Sequence, residues 1–313
     1  MFKKKFEKRI LFAGMPDMAL ECLDRLILEG INIIGVIIPP KTDAGFIPFL
    51  DTVKKNGLNI ISYKESLSEP DFLGKISELK PDLGVCASFS SKFPQALLNI
   101  PKDGFINLHP SKLPDYRGSN PYSHVIINNE KKSAVTLHFM DENFDTGNII
   151  SQYEFDIEPD ETMGSLFQKT NQICAAMLFE ALNYYETNRF KSRRQGVCSK
   201  YAYTLSFQKR NIFIDWSRSA EDIERFIRAL NPFIGAFTAY NGIYLRINSA
   251  RVIKQKHKSR FGSIYDVQDG LIAACGEDLL EINSLQYGAL YITDGKDFVK
   301  RIKPKKGKMF YNG

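Results

Sequence analysis

Of 313 residues only five are cysteine and one is tryptophan, and no apolar run reaches the ~18–20 residues of a membrane span. INIIGVII, residues 31–38, is the longest candidate and falls far short. The cysteines (Cys22, Cys86, Cys174, Cys198, Cys275) are odd in number, scattered, and never in C-x-x-C spacing. That pattern argues against a disulfide framework or a thiolate metal site, and for reduced thiols in a cytoplasmic protein. The basic start MFKKKFEKRI runs into RILFAG, an apolar strand pattern, with no h-region or small-residue cleavage site. A secretory signal is therefore not expected. FAGMPD (12–17) lies between a strand and a helix, where a dinucleotide loop would be, but Gly14 stands alone. G-x-G-x-x-G, the Walker lysine motif and H-E-x-x-H are all missing, which disfavours a nucleotide cofactor and a zinc hydrolase.

What is present is a folded composition, 43% hydrophobic and 12% aromatic, in a chain long enough for two domains. Strand patterns at 9–14, 31–38, 59–63, 82–88 and 104–109 alternate with helical patterns at 18–30, 71–80 and 93–101. Such alternation predicts a doubly wound, Rossmann-like parallel sheet, an α/β domain that binds ligands beyond the carboxyl ends of its strands. Strands at 133–140 and 148–157 and a helix at about 162–187 complete it. Residues 188–205 show no period and read as a linker. Then DWSRSAEDIERFIRAL opens as an amphipathic helix with Ser219 as N-cap. Five short strands follow, in AFTAYNG, YLRINSARVI, GSIYDVQ, LIAACG and LLEINSLQY, and predict a small antiparallel, OB-like β-barrel. The expected division is 1–187, a linker at 188–205, and 206–313.

Charge is shared unevenly. Residues 206–313 carry 18 Lys and Arg against 11 Asp and Glu, whereas residues 1–205 carry 24 against 25. Six basic residues lie in KRIKPKKGK, 300–308. A basic second half suits an anionic partner, a phosphorylated small molecule or nucleic acid, and a solvated basic tail is the plain alternative.

Three polar residues at strand ends or in loops are candidates for chemistry: Asn107 and His109 in INLHPSKLPDYRG, and Asp145 in NFDTGNII. Spacing does not show that they meet, and ordinary strand-end polarity remains open. If the strands at 104–109 and 133–140 are neighbours, the loop carrying Asp145 reaches the end of the first. An amide, an imidazole and a carboxylate converging there suit attack of an amine on a carbonyl carbon, with donors for the oxyanion and a carboxylate to orient the His.

The surrounding residues add a resemblance. N-x-H-x-S-x-L-P-x-Y-R-G, running from Asn107 through Ser111, Leu113, Pro114 and Tyr116 to Arg117 and Gly118, resembles the signature of the 10-formyltetrahydrofolate-dependent formyltransferases. FDTGNII is similar to that family's second motif. FAGMPD and IDWSRSAEDIERFIRALNPF look like its methionyl-tRNA formyltransferase branch. The resemblance implies an enzyme that uses 10-formyltetrahydrofolate as co-substrate and no metal. It implies catalytic roles for Asn107, His109 and Asp145, with Asp145 meeting His109 through an ordered water. It also implies pterin contacts from Ser88, Phe89, Ser90, Ser91, Met140 and Asp141. Arg117 and Tyr122 are expected to contact the acceptor, Tyr122 by stacking on a base or sugar, with merely covering the Arg-Gly loop as its plain alternative. His124 and His138 are expected to pack or hydrogen-bond locally, and Trp216 to anchor the second domain's helix.

Two features depart from the resemblance. Pro110 stands where the family often has a small residue, which stiffens the loop. The second is the more serious. PPKTDAGFIPFLDTVKKNG (39–57) is short, with Lys41 as its single base before Lys54, where the tRNA-acting branch carries a longer loop rich in Arg and Lys. A loop without bases forfeits phosphate attraction. The expected acceptor is therefore the amine of a nucleotide-linked amino sugar, with methionyl-tRNA as the alternative. A non-catalytic RNA-binding protein and a formate-releasing hydrolase are lesser alternatives. No membrane partner is expected, and a homodimer is left open.

Overall fold

The computed structural model describes residues 6–16, 18–288 and 291–311. Asp17 of FAGMPD and the first five residues lie outside them. Two compact units are present, and they do not follow the expected division at 187 and 205. The first comprises Met1–Pro121, Lys132–Asp156 and Gln168–Tyr201; the second comprises Tyr122–Lys131, Ile157–Phe167 and Ala202–Gly313. Most of the segment expected to be a linker thus belongs to the first unit.

In the first unit β1 (Ile10–Gly14), β2 (Ile33–Ile38), β3 (Ile60–Ser62), β4 (Leu83–Ala87) and β5 (Phe105–His109) pair in parallel, in the order β3-β2-β1-β4-β5. Past the two-residue strand β6 (Arg117–Gly118), β7 (Lys132–Phe139) and β8 (Ile149–Asp156) extend the sheet antiparallel on the β5 side. The sheet is buried on both faces because its central strands are apolar at every position. Ile10 and Phe12 of β1 enter one core cluster, and Leu11 and Ala13 enter the other. Each fully buried side chain of this kind contributes roughly 1.5–3 kcal/mol.

The helix α1 (Met18–Leu28) falls within its predicted span, α3 (Pro70–Glu78) begins one residue before the predicted 71–80, and the predicted helix at 93–101 is one short turn, α4 (Gln95–Leu98). Gly14 is bare for a packing reason: a Cβ there would lie 2.3 Å from the Ala19 Cβ of α1. The segment 39–57 is not a loop throughout. A 3-10 turn at Ala44–Phe46 leads into α2 (Ile47–Lys55), whose Phe49 and Val53, four apart, are buried. α5 (Pro121–Ile127) was not legible in the sequence; α6 (Met163–Tyr185) falls inside the predicted helix.

The second unit, after the two-residue strand β9 (Tyr201–Ala202), begins with α7 (Ala220–Leu230), where the Ser219 hydroxyl accepts from Asp222 N at 3.1 Å. Its sheet is antiparallel, in the order β10 (Ala236–Tyr240), β11 (Ile243–Ile253), β14 (Leu279–Tyr287), β13 (Leu271–Ala274), β12 (Ile264–Asp266). A sixth strand, β15 (Tyr291–Asp294), pairs with β14 and leads into α8 (Gly295–Ile302), so the stretch read as a basic tail is partly helix. Residues 308–311 then bond both sheet edges: Tyr311 exchanges two backbone hydrogen bonds with Ala239, and Ile264 N donates to Lys308 O. The terminal segment thereby closes the gap in the barrel-like sheet. Trp216 is buried, stacks on Phe310 and donates from Nε1 to Thr238 Oγ1 at 3.0 Å. No helix among the described residues is long and apolar enough to cross a membrane.

Candidate active site

Asn107 and His109 alternate on β5, so their side chains leave the same face near its carboxyl end. Antiparallel pairing sets His138 opposite Asn107 and Thr136 opposite His109, and opposed residues share a face. The loop after β7 then returns Asp145. The Asp145 carboxylate lies 3.5 Å from His109 Nδ1, 3.5 Å from Asn107 Nδ2 and 3.7 Å from His138 Nε2. At 3.5 Å the His109–Asp145 pair is within ion-pair distance. His138, expected to pack or hydrogen-bond locally, bonds its neighbour Phe139 O and is also a fourth member of the cluster.

Backbone acceptors fix both imidazoles. His109 Nε2 lies 2.8 Å from Tyr116 O, which accepts only from an N–H. Its Nδ1 faces Asp145, so each ring nitrogen meets an acceptor and the ring is fully satisfied only as imidazolium. His109 is buried, however, and burial lowers its pKa more than Asp145 raises it. The outcome is a histidine held neutral near pH 7 with a lone pair on Nδ1. His138 Nδ1 lies 2.7 Å from Phe139 O and carries the proton, leaving Nε2 to accept from Asn107 Nδ2 at 3.1 Å. That contact sets which way the Asn107 amide points. For Asp145, burial alone would raise the carboxyl. Attraction to His109 once that ring is protonated in acid, the His138 ring and the Gly118 N–H outweigh it and hold the group well below the usual carboxylate range. Cys86, opposite Asn107 on β4, is no nucleophile, because burial pushes its thiol far up. All five cysteines are free.

Two loops hold these groups. After β5, Thr136 Oγ1 donates to Ser111 O at 2.6 Å and accepts from Leu113 N, while Gln152 Nε2 donates to Leu113 O. In the loop 140–148, Asp145 has φ +57° and Gly118 N donates to its Oδ2 at 3.1 Å. Gly147 permits the return, since a Cβ there would lie 1.9 Å from Phe139 O. Residues 192–201 cross both loops. Gln195 bonds Asp145, Gly147 and Arg117, and Tyr116 N donates to Lys200 O. This aperiodic stretch gave no signal as part of a site.

Ser88, Ser90, Ser91 and Asp141 are exposed, and Phe89 and Met140 are half-buried, so the predicted pterin loops are open. Ser88 O and Met140 N are already taken, by Met15 N and Phe105 O. A cavity of about 670 Å³ borders both loops; its walls include Pro40, Tyr63, Ser66, Ser91, Lys92 and Glu142. Arg117 is half-buried, with Nε and Nη2 donating to Gln195 Oε1. Tyr122 departs from expectation. It clusters with the second unit, is 7% exposed and packs its ring edge-on to Phe167, which leaves little face for a base or sugar. His124 bonds locally, to Tyr203 O at 2.9 Å. Among the described residues no group of three or more His, Cys, Asp or Glu is arranged to hold a metal ion.

Comparison with known proteins gives the family. Residues 8–182 match the formyl transferase family and residues 207–303 match the formyl transferase C-terminal domain. The methionyl-tRNA formyltransferase of Clostridioides difficile is 33% identical over 285 residues, 89% of this chain and 92% of that protein. That of Bacillus subtilis is 32% identical over 300 residues, 93% and 94% of the two chains. An N-formyltransferase from Helicobacter canadensis, solved with folinic acid and dTDP-3-aminofucose, superposes with a TM-score of 0.68. It is 22% identical, covering 88% of this chain and 99% of that one. With two family domains matched in order, the chain belongs to the formyltransferase family.

Proposed function

We propose that this enzyme moves the formyl group of 10-formyltetrahydrofolate to the primary amine of a nucleotide-linked amino sugar. The first unit carries the chemistry. The neutral amine attacks the formyl carbon. Asn107, its amide oriented by His138, has an N–H that turns from its long contact with Asp145 to the developing oxyanion. The amine's proton goes to the His109–Asp145 pair, where Nδ1 holds a lone pair and the carboxylate steadies the imidazolium that forms. The carbon–N10 bond then breaks, N10 takes a proton, and tetrahydrofolate leaves. The pterin lies between Ser88-Phe89-Ser90-Ser91 and Met140-Asp141, with the 670 Å³ cavity beside it for the remainder of a folate-sized molecule. Arg117 faces the acceptor.

The observation that carries the sugar reading is the segment 39–57. It leaves β2 as Pro39-Pro40, keeps Lys41 as its single base before Lys54, and folds at once into a 3-10 turn and α2. Little remains there to grip a nucleic-acid backbone. Two observations favour methionyl-tRNA instead. One is the 33% identity to enzymes of that name along most of the chain. The other is an aromatic group on the basic second unit, where half-exposed Phe207 and Tyr244 pack with Phe213 under Arg210. Such rings suit stacking on bases. Incubation with 10-formyltetrahydrofolate and either Met-loaded initiator tRNA or a panel of nucleotide-linked 3- and 4-amino sugars decides between them. Turnover of a sugar supports the first reading; turnover of tRNA alone ends it.

A further inference from the structure

Gln195 lies in a stretch without sequence pattern, yet its side-chain amide is fully used. Nε2 donates to Asp145 O at 2.9 Å and to Gly147 O at 2.7 Å, while Oε1 accepts from Arg117 Nε at 3.1 Å and Nη2 at 2.6 Å. Two donors meet two carbonyls and the oxygen meets a guanidinium, so the amide has one orientation: flipped, it would set like against like. The chain around Gln195 is anchored as well. Arg193 exchanges two backbone bonds with Ile149, and Ser199 and Lys200 donate backbone N–H groups to Asp115 Oδ1. The strap therefore spans the loop after β5 and the loop after β7, and the Gln195 side chain ties the second of these to Arg117 of β6.

The backbone it grips is in a minority conformation. Asp145 sits at φ +57°, the left-handed region, which aspartate enters more readily than most non-glycine residues. In that conformation its carboxylate lies 3.5 Å from His109 Nδ1. We infer that Gln195 is a positioning residue for formyl transfer, holding the Asp145 carboxylate against His109 and Arg117 at the rim of the same site. This rests on the roles proposed above for His109 and Asp145. The titratable and charged groups facing His109 are Asp145 from the 140–148 loop, His138 from β7 and Arg117 from β6, and of these Asp145 acts most strongly. Loosening the strap withdraws the charge that favours the imidazolium.

The test uses the full-length enzyme and the variants Gln195→Ala, Gln195→Glu and Asp145→Asn. Gln195→Glu keeps the length and the Arg117 contact but turns a carboxylate on two carbonyls. Kinetics are read with 10-formyltetrahydrofolate and whichever probe the native enzyme turns over, a dTDP-linked 3-amino sugar or Met-loaded initiator tRNA. With four histidines in the chain, the imidazole carbon–proton signals give a titration of His109 that needs no acceptor, assigned with a His109→Gln variant. Both Gln195 variants are expected to lose kcat by roughly tenfold to a hundredfold, as displaced catalytic groups do. KM for the folate should stay within about threefold, thermal midpoints near native, and His109 should titrate at lower pH, in the same direction as in Asp145→Asn. Native kcat together with an unmoved His109 titration in both Gln195 variants overturns the inference. An Asp145→Asn variant with native rate and unmoved His109 would instead overturn the reading of the pair itself.

Discussion

The end of β5 and the strap at 192–201 contribute to one site by opposite physical means. Asn107, His109, Thr136 and His138 are placed by sheet register: two neighbouring strands with buried apolar positions on both faces, where a one-residue slip would move every side chain. The strap has no apolar side chain in either core cluster of the unit, and most of its residues are exposed. It is fixed by hydrogen bonds from Gln195, Ser199 and Lys200 to the two loops. The sheet supplies the rigid donors, and the strap trims loops whose conformation the sheet does not determine. Precision at the site therefore has two sources with very different reserves of stability.

The largest break in the comparison is at Asp145, where the two sources meet. Asp145→Asn should lower kcat/KM by roughly 10²–10⁴-fold in steady-state assays while the circular dichroism stays native. Its pH profile gives a second sign. His109 titrates below its ordinary value because burial outweighs the Asp145 charge, so the acid limb of kcat/KM for the native enzyme lies below about pH 6.5. Asn removes the charge that raises His109, and the residual activity should show that limb displaced to still lower pH. A limb unmoved in Asp145→Asn would separate the acid limb from His109.

Thr136→Val probes the sheet side alone. The valine keeps volume but strips Ser111 O, Leu113 N and Gln152 Nε2 of a partner at a fully buried position. A loss of about 1–3 kcal/mol in urea unfolding is expected, with the loop after β5 loosened. His138→Ala comes next. It removes the acceptor that orients the Asn107 amide, at the scale of one hydrogen bond, ~1 kcal/mol or roughly fivefold in kcat. His138→Gln, which can present a side-chain oxygen to the same N–H, should recover part of it.

The same contrast explains what could be read in advance. The parallel strands were legible as continuous apolar runs and α1 and α3 by their helical apolar spacing, and Asn107, His109 and Asp145 because their motifs surround them. His138 had a readable signal: Thr136 and His138 alternate in SAVTLHFM, and pairing this strand with 104–109 places them on the site's face. Its neutral look in sequence comes from having no local motif. Gln195 had none, since a side-chain clamp leaves no period in composition. α2 was hidden because its apolar face is only Phe49 and Val53. α8 was masked by its own charge, with Lys300 and Arg301 in its last turn. Tyr122 was read as an acceptor contact from its place after the Arg-Gly loop, and that position gives no sign that its ring packs on Phe167.

The smallest effect belongs to the strap's outer anchor. Ser199 donates to Asp115 Oδ1 twice, from its backbone N–H at 2.8 Å and its hydroxyl at 2.9 Å, and Lys200 N adds a third bond at 3.3 Å. Burial pushes Asp115 up, but these donors prevail and its pKa is lowered. A carboxyl lowered on folding adds stability above its unfolded pKa, near 4, and that contribution fades as pH falls through the folded value. Ser199→Ala deletes only the hydroxyl bond, leaving both backbone donors in place at an exposed position. The expected cost is therefore about 0.5 kcal/mol near pH 7, at the low end for one hydrogen bond. It should shrink once Asp115 is protonated, and kcat should remain native, because Gln195 keeps its grip on Asp145. A kcat drop as large as that of Gln195→Ala would mean that the strap acts as one rigid piece rather than through a single clamp.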